Sequence, residues 1–277
     1  MQKIVVLIGI GVLLASCNQQ LPALQPGTLT KENALAFKSS SAEQGSDQLS
    51  SAMLSLAGTS VIGEADFDLP SGHLAKCELP ATGNDLSDID LDKIPVKNVR
   101  SFICAFSSTI GSVTNSASVT GSSSLEDKND NDANAGFKYA TTLAFDLNWN
   151  GKKLNTSANI GLDITPNAGK YTILEKSRFV KNLKELSSDS SIELTPDDAT
   201  KPFKGGVINF TGTQTLKDGT NTLLVNSSGQ GLHFGKSCKR GFDAGKITLT
   251  DGTNTLEVTF IKCRKFTAVY NGQPLDD

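Results

Sequence analysis

Aromatic residues make up only 6% of this 277-residue chain, with a single tryptophan, and there are only two histidines. Scarce histidine leaves little material for general-base catalysis or nitrogen-ligated metal. Neither charge dominates: 26 basic residues face 29 acidic ones, for a formal net charge of −3. That balance excludes the basic field by which proteins hold nucleic acid. The sequences H-E-x-x-H, G-x-S-x-G and Walker A are missing, and with them the mechanisms they encode. Gly229, Gly231 and Gly235 miss the dinucleotide-binding spacing by one residue, with no helical pattern after them. No catalytic residue, metal site or cofactor is assigned, and the chain is expected not to be an enzyme.

What the chain does have begins at its N-terminus. Lys3 precedes an uninterrupted apolar run over residues 4–14. A permanent membrane span needs about 20 apolar residues, so this run reads as a secretory signal. It closes on Leu14-Ala15-Ser16-Cys17, which resembles the lipobox of bacterial lipoproteins. The resemblance implies that the signal, residues 1–16, is removed and that Cys17 becomes an acylated first residue. It further implies a lipid-anchored place in the bacterial cell envelope. Asn18, rather than aspartate, follows the cysteine, which implies the outer membrane if the source is Gram-negative. Two or three acyl chains hold a protein stably where one does so only marginally. The implied partners are therefore the membrane itself, through the lipid, and an envelope protein, glycan or lipid.

With Cys17 given to lipid, Cys77, Cys104, Cys238 and Cys263 remain. An even number in an oxidising compartment most simply makes two disulfides, and four cysteines allow three connectivities. The expected pairs are Cys77 with Cys104 and Cys238 with Cys263. A zinc site built from these thiols would ordinarily use close C-x-x-C pairs, which are missing.

The mature chain is expected to be mainly β. Residues 17–40, with Pro22, Pro26 and Gly27, read as a tether. A capping box at Ser40-Ser41-Ala42-Glu43 and helical spacing of Leu49, Met53 and Leu56 predict a short helix over 41–56. Strands are expected over 60–69 and 99–107, and an edge strand or loop over 112–124. The clearest signal spans 137–164. Phe137, Tyr139, Leu143, Phe145, Leu147 and Trp149 alternate with Lys138, Asp146 and Asn148, and Asn150-Gly151 follows as a type I′ hairpin turn. With that turn, residues whose numbers sum to 301 face each other. Leu154, Ala158, Ile160, Leu162 and Ile164 then share the face of the aromatics.

Phe179, Val180, Leu183 and Leu186 predict a second short helix over 177–186. The phrase from Thr215 to Leu223 returns almost unchanged from Thr248 to Leu256, and each copy carries an Asp-Gly hairpin signal. A fainter likeness links the Cys77–Cys104 stretch to the Cys238–Cys263 stretch. It suggests two related disulfide-stapled β units, about 59–125 and 205–275, around the central hairpin at 137–164. The fold class expected for 41–277 is thus antiparallel sheets, as a sandwich or a curved, partly open barrel, with long hairpins and one or two short helices.

Two stretches carry polar chemistry. Residues 126–134 pack hard oxygen ligands of the kind calcium prefers, but counting from Asp127 an EF-hand would need glycine where Asp132 stands and glutamate where Lys138 stands. A solvated loop is the expectation. His73 and His233 each precede a cysteine and lack an evident third ligand. The function these observations imply is a non-enzymatic binding or structural domain on an envelope lipoprotein. The alternative is a carrier that holds a lipid or other hydrophobic ligand in a curved sheet around 137–164.

Overall fold

The computed structural model describes residues 28–32, 34–35, 76–78, 84–92, 94–110, 113–149, 152–181, 184–235, 238, 241–263 and 265–275. Cys17, His73, the helix expected over 41–56 and the strand expected over 60–69 lie outside them. The described chain forms thirteen strands: β1 (Lys76–Glu78), β2 (Lys97–Ile110), β3 (Val113–Asp127), β4 (Phe137–Trp149), β5 (Lys152–Asn167), β6 (Lys170–Lys181), β7 (Lys184–Pro196), β8 (Gly206–Asp218), β9 (Asn221–Phe234), β10 (Ala244–Thr250), β11 (Thr255–Lys262), β12 (Lys265–Tyr270) and β13 (Gln273–Pro274). Their order in the sheet follows their order in the sequence, from β1 at one end to β13 at the other. The expectation of a mainly β, antiparallel fold holds, in the form of an open meander.

Local sequence explains this order. A two-residue turn returns the chain beside the strand it has just left, and side-chain alternation then fixes which face each residue takes. In the β4–β5 hairpin every pair sums to 301, from Phe137 opposite Ile164 to Trp149 opposite Lys152. In β8–β9, Leu216 faces Leu223 and Asp218 faces Asn221, with Gly219 at positive φ between them. In β10–β11, Leu249 faces Leu256 and Ile247 faces Val258. The repeated phrase nonetheless makes two different turns. The first copy turns in two residues, whereas the second pairs Thr250 with Thr255 around a longer loop. There the Asp251 carboxylate accepts the Thr253 and Asn254 amides at 2.8 and 2.7 Å.

The helix expected over 177–186 is not formed. Among the described residues of that stretch, 177–181 lie at the end of β6 and 184–186 at the start of β7. Arg178 pairs with Glu185 at 2.8 Å, Ser188 donates to Glu175 at 3.2 Å and Lys170 pairs with Glu193 at 3.0 Å, all across the hairpin. Tertiary pairing overrides a weak helical spacing here. The strict alternation further along β7, where Ser190, Ile192 and Leu194 are buried and their neighbours exposed, is the stronger pattern.

The residues group into two units. The first holds the described residues of Asp68–Asn167 and Thr172–Asp189; the second holds those of Met1–Phe67, Ala168–Tyr171 and Ser190–Asp277. In the first unit, the apolar side chains of the β4–β5 face are deeply buried at its open end, at Phe137, Tyr139, Leu162 and Ile164. Towards the turn, Leu143, Phe145, Leu147, Leu154 and Ile160 are half-buried. In the second unit the core is continuous. Ile208, Leu223, Val225, Leu232, Leu249, Leu256 and Val258 are almost fully removed from water, and Phe242 packs edge-on against Phe260 at 5.4 Å. A fully buried leucine of this kind stabilises by about 1.5–3 kcal/mol.

Part of the expected tether also packs into the second unit. Leu29 and Ala34 are fully buried. The Leu29 amide donates to the Asp251 carboxylate at 2.6 Å, and the Tyr270 hydroxyl donates to the Leu29 carbonyl at 2.7 Å. The Cys238–Cys263 disulfide closes a separation of 25 residues in the same unit, a constraint of about 3 kcal/mol on the unfolded chain. Cys77 and Cys104 are register partners on neighbouring strands, and Cys104 is disulfide-bonded. Cys238 and Cys263, by contrast, sit just beyond the ends of β9 and β11, which are not neighbours. The two cysteine pairs thus stand differently in the sheet.

Burial alone would raise the Asp251 carboxyl, but the amides of Asn254, Leu29 and Thr253, with the Asn254 side chain, hold it down at about 2. A depressed carboxyl contributes stability above its unfolded value of 3.8 and loses it as pH falls towards 2. Acidification across that window is therefore expected to release the Leu29 segment, read as loss of amide-exchange protection at Leu29. Asp251→Asn is expected to remove this pH dependence; unchanged protection of Leu29 down to pH 2 would contradict the linkage.

Candidate functional site

The first unit brings two loops together that are far apart in sequence. One precedes β2 and carries Asp85, Asp88, Asp90 and Asp92; the other joins β3 to β4 and begins at Asp127. The first is tied to the start of β2 by reciprocal backbone bonds between Asp85 and Lys97 at 2.9 and 2.8 Å. The second closes where Lys128 donates to the Gly136 carbonyl at 3.1 Å. Gly136 has φ +79 and a side chain there would meet Pro166, so only glycine fits the return. The Ile89 amide then donates to Asp130 at 3.0 Å, and the Asp127 amide donates to the Pro95 carbonyl, joining loop to loop.

This junction collects carboxylates. Asp88, Asp90 and Asp130 each present an oxygen within 4.8 Å of the others. Asp127 is 8% exposed. The Oδ2 atoms of Asp90, Asp127 and Asp130 are buried without a hydrogen-bond partner among the described residues. Burial raises the Asp92 carboxyl above its usual range; the Ile94 amide opposes this, while the charges of Asp90, Asp127 and Asp88 add to it. Lys128, adjacent to Asp127 in sequence, turns instead to Asp163 and Thr165 on β5. Meanwhile Leu86, Ile89 and Leu91 are 65%, 67% and 79% exposed. The loop thus leaves Asp88, Asp90 and Asp92 half-buried and these three apolar side chains in water, the reverse of the ordinary preference.

The apolar face of the first unit runs across strands. Val119 on β3 lies opposite both Cys104 and Phe145, and Gly121 lies opposite Phe102 and Leu143, with the Phe102 ring over the glycine. An aromatic side chain over a cross-strand glycine fills the space that residue leaves. The other face carries rows such as Ser122, Thr142 and Asn159, with the Ser122 and Thr142 hydroxyls 2.7 Å apart.

In the second unit His233, at the end of β9, is bracketed by two carboxylates. Its Nδ1 lies 2.6 Å from Asp243, just before β10, and its Nε2 lies 3.2 Å from Asp197, just after β7. Asp243 returns a backbone amide to the His233 carbonyl at 3.0 Å. Both ring nitrogens are committed, so neither is left to take a proton from a nucleophile. The cluster is an electrostatic clamp on three strand ends. Burial disfavours the charged ring, but Asp243 and then Asp197 outweigh it, and the histidine titrates above its usual value.

Sequence reasoning singled out His233 without either partner, and the 126–134 loop without the aspartates that complete its cluster. The partners lie 36 and 10 residues from the histidine; no short motif encodes such distances. Comparison of the chain with protein families, curated proteins and solved structures finds no match.

A histidine titrating above the usual value contributes stability that is complete below the unfolded value of 6.5 and is lost as pH rises through the folded one. Proton NMR of the His233 ring is expected to give a midpoint above 6.5 that falls towards 6.5 in Asp243→Asn. A native midpoint at or below 6.5 would contradict the clamp.

Proposed function

We propose that this chain is a lipid-anchored protein of the bacterial cell envelope whose β-sheet serves as a non-enzymatic binding or structural surface for another envelope component. The observation that carries this reading is Leu14-Ala15-Ser16-Cys17 at the end of a short apolar run. The Cys238–Cys263 disulfide supports it, since structural disulfides belong to oxidising compartments. A pairing of Cys77 with Cys104, whose positions face each other in the sheet, belongs to the same proposal. The small negative net charge fits a partner other than nucleic acid.

A long antiparallel sheet suits surface presentation. Its strands carry side chains alternately to two faces, so a long pleated segment offers a broad polar surface and a broad apolar one without any pocket being built. The apolar rows around Leu143, Phe145 and Ile160 favour a second reading, a carrier of lipid or another hydrophobic ligand. Those side chains are half-buried rather than sealed in a core, and contiguous exposed apolar surface marks interaction sites. In the carrier reading, native mass spectrometry of envelope-purified protein finds retained lipid; in the first reading it finds none.

Metabolic labelling with a fatty-acid probe is expected to place label on the wild-type chain and to lose it in Cys17→Ala, with the variant leaving the membrane fraction. Wild-type protein that stays unlabelled would overturn the anchor and the location drawn from it.

A further inference from the structure

We propose that the two acidic loops of the first unit form a calcium site, with Asp88, Asp90 and Asp130 as ligands and Asp127 as the buried carboxylate behind them. The three ligand oxygens lie within 4.8 Å of one another, a separation that one ion coordinated at about 2.3–2.6 Å can bridge. Asp127 is an independent observation. It is more than nine-tenths buried, its Oδ1 accepts the Asn129 amide at 3.1 Å, and its Oδ2 has no partner among the described residues. Its amide is bonded to the Pro95 carbonyl, and Asp130, three residues on, receives the Ile89 amide, so Asp127 stands where the two loops meet.

A buried carboxylate oxygen with neither hydrogen bond nor counter-charge is costly, and a bound ion is one of the few things that offset that cost in a native fold. Among the described residues, no lysine or arginine pairs with Asp90, Asp127 or Asp130. Lys128 is drawn off to β5. A cation supplies the missing charge. The donors are all carboxylate oxygen, with no thiolate or imidazole, which selects a hard ion over zinc or copper. Loop-borne ligands that can adjust their geometry suit calcium, which tolerates six to eight oxygens, better than magnesium with its strict octahedron.

The spacing is not that of an EF-hand, because the carboxylates come from two loops, with Ile89 and Asp130 41 residues apart. The ion would lock the segment before β2 onto the β3–β4 connection, where direct linkage now rests on bonds such as Ile89 to Asp130 and Asp127 to Pro95. It would also explain why Leu86, Ile89 and Leu91 point outward: the aspartates between them are held in. The site does not depend on the lipid anchor.

The test uses the full-length protein stripped with EDTA and titrated with calcium chloride, followed by thermal melting and calorimetry. Millimolar calcium is expected to raise the melting midpoint by several degrees, with saturable heat at about one ion per chain. In Asp90→Asn combined with Asp130→Asn the calcium-free midpoint stays level or rises, since carboxylate repulsion is relieved, and the calcium increment disappears. Asp127→Asn, which keeps Oδ1 for Asn129, is expected to weaken calcium binding at least about tenfold. The proposal is overturned if calcium leaves the wild-type midpoint unchanged. It is overturned equally if the double variant keeps the full increment, or if sodium chloride at matched ionic strength gives the same one.

Discussion

Everything in this structure depends on hairpin register. Each strand lies between its sequence neighbours in the sheet, from β1 to β13, so the turn residues decide register and register decides which side chains meet. A slip of one residue would send every apolar side chain of a strand to the opposite face. Local pairing of this kind also keeps loop-closure costs low along the chain. The buried alternation of β9, where Leu223, Val225, Ser227 and Gly229 point inward and their neighbours outward, follows from the Leu216–Leu223 pairing set at Gly219.

Two aspartates illustrate how this scaffold sets the chemistry of its loops. Asp251 sits where several N–H groups converge, one of them from Leu29 far away in sequence, and its carboxyl is held at about 2. Asp92 is partly buried near Asp90, Asp127 and Asp88, and its carboxyl is pushed up, by burial first and then by those charges. The side chain is the same; the difference lies in what the neighbouring strands bring alongside it. His233 lies between these cases, a partly buried ring that two carboxylates draw towards its charged form. A sheet can create strongly differentiated sites wherever its connections meet.

The sequence was most informative where a turn signal and an alternating run coincided. The 137–164 hairpin and both Asp-Gly hairpins follow from neighbours in the chain, and Cys238–Cys263 is one of the expected pairs. It was misleading where the pattern was short: Phe179, Val180, Leu183 and Leu186 fit a helical face, yet Arg178 and Glu185 close a strand pair there. It was silent where chemistry comes from distant segments. Asp88 and Asp130, or Asp197 and His233, meet only because strands bring loop ends together, and no spacing rule in one chain carries that information. The packing of Leu29 was hidden for the same reason, since a leucine in a proline-rich leader looks like tether until Asp251 and Tyr270 are placed beside it.

The most direct measurement is oxidative cross-linking across β4 and β5. Thr142 and Asn159 are register partners with exposed side chains, whereas Ile160 points to the other face. The chain carrying Thr142→Cys with Asn159→Cys should form a disulfide between those two positions readily under mild oxidation, and the chain carrying Thr142→Cys with Ile160→Cys should not. The opposite outcome, efficient bonding in the second chain while the first stays reduced, would mean that the strands are slipped by one residue. The register on which the fold, the apolar face and the acidic junction rest would then be wrong.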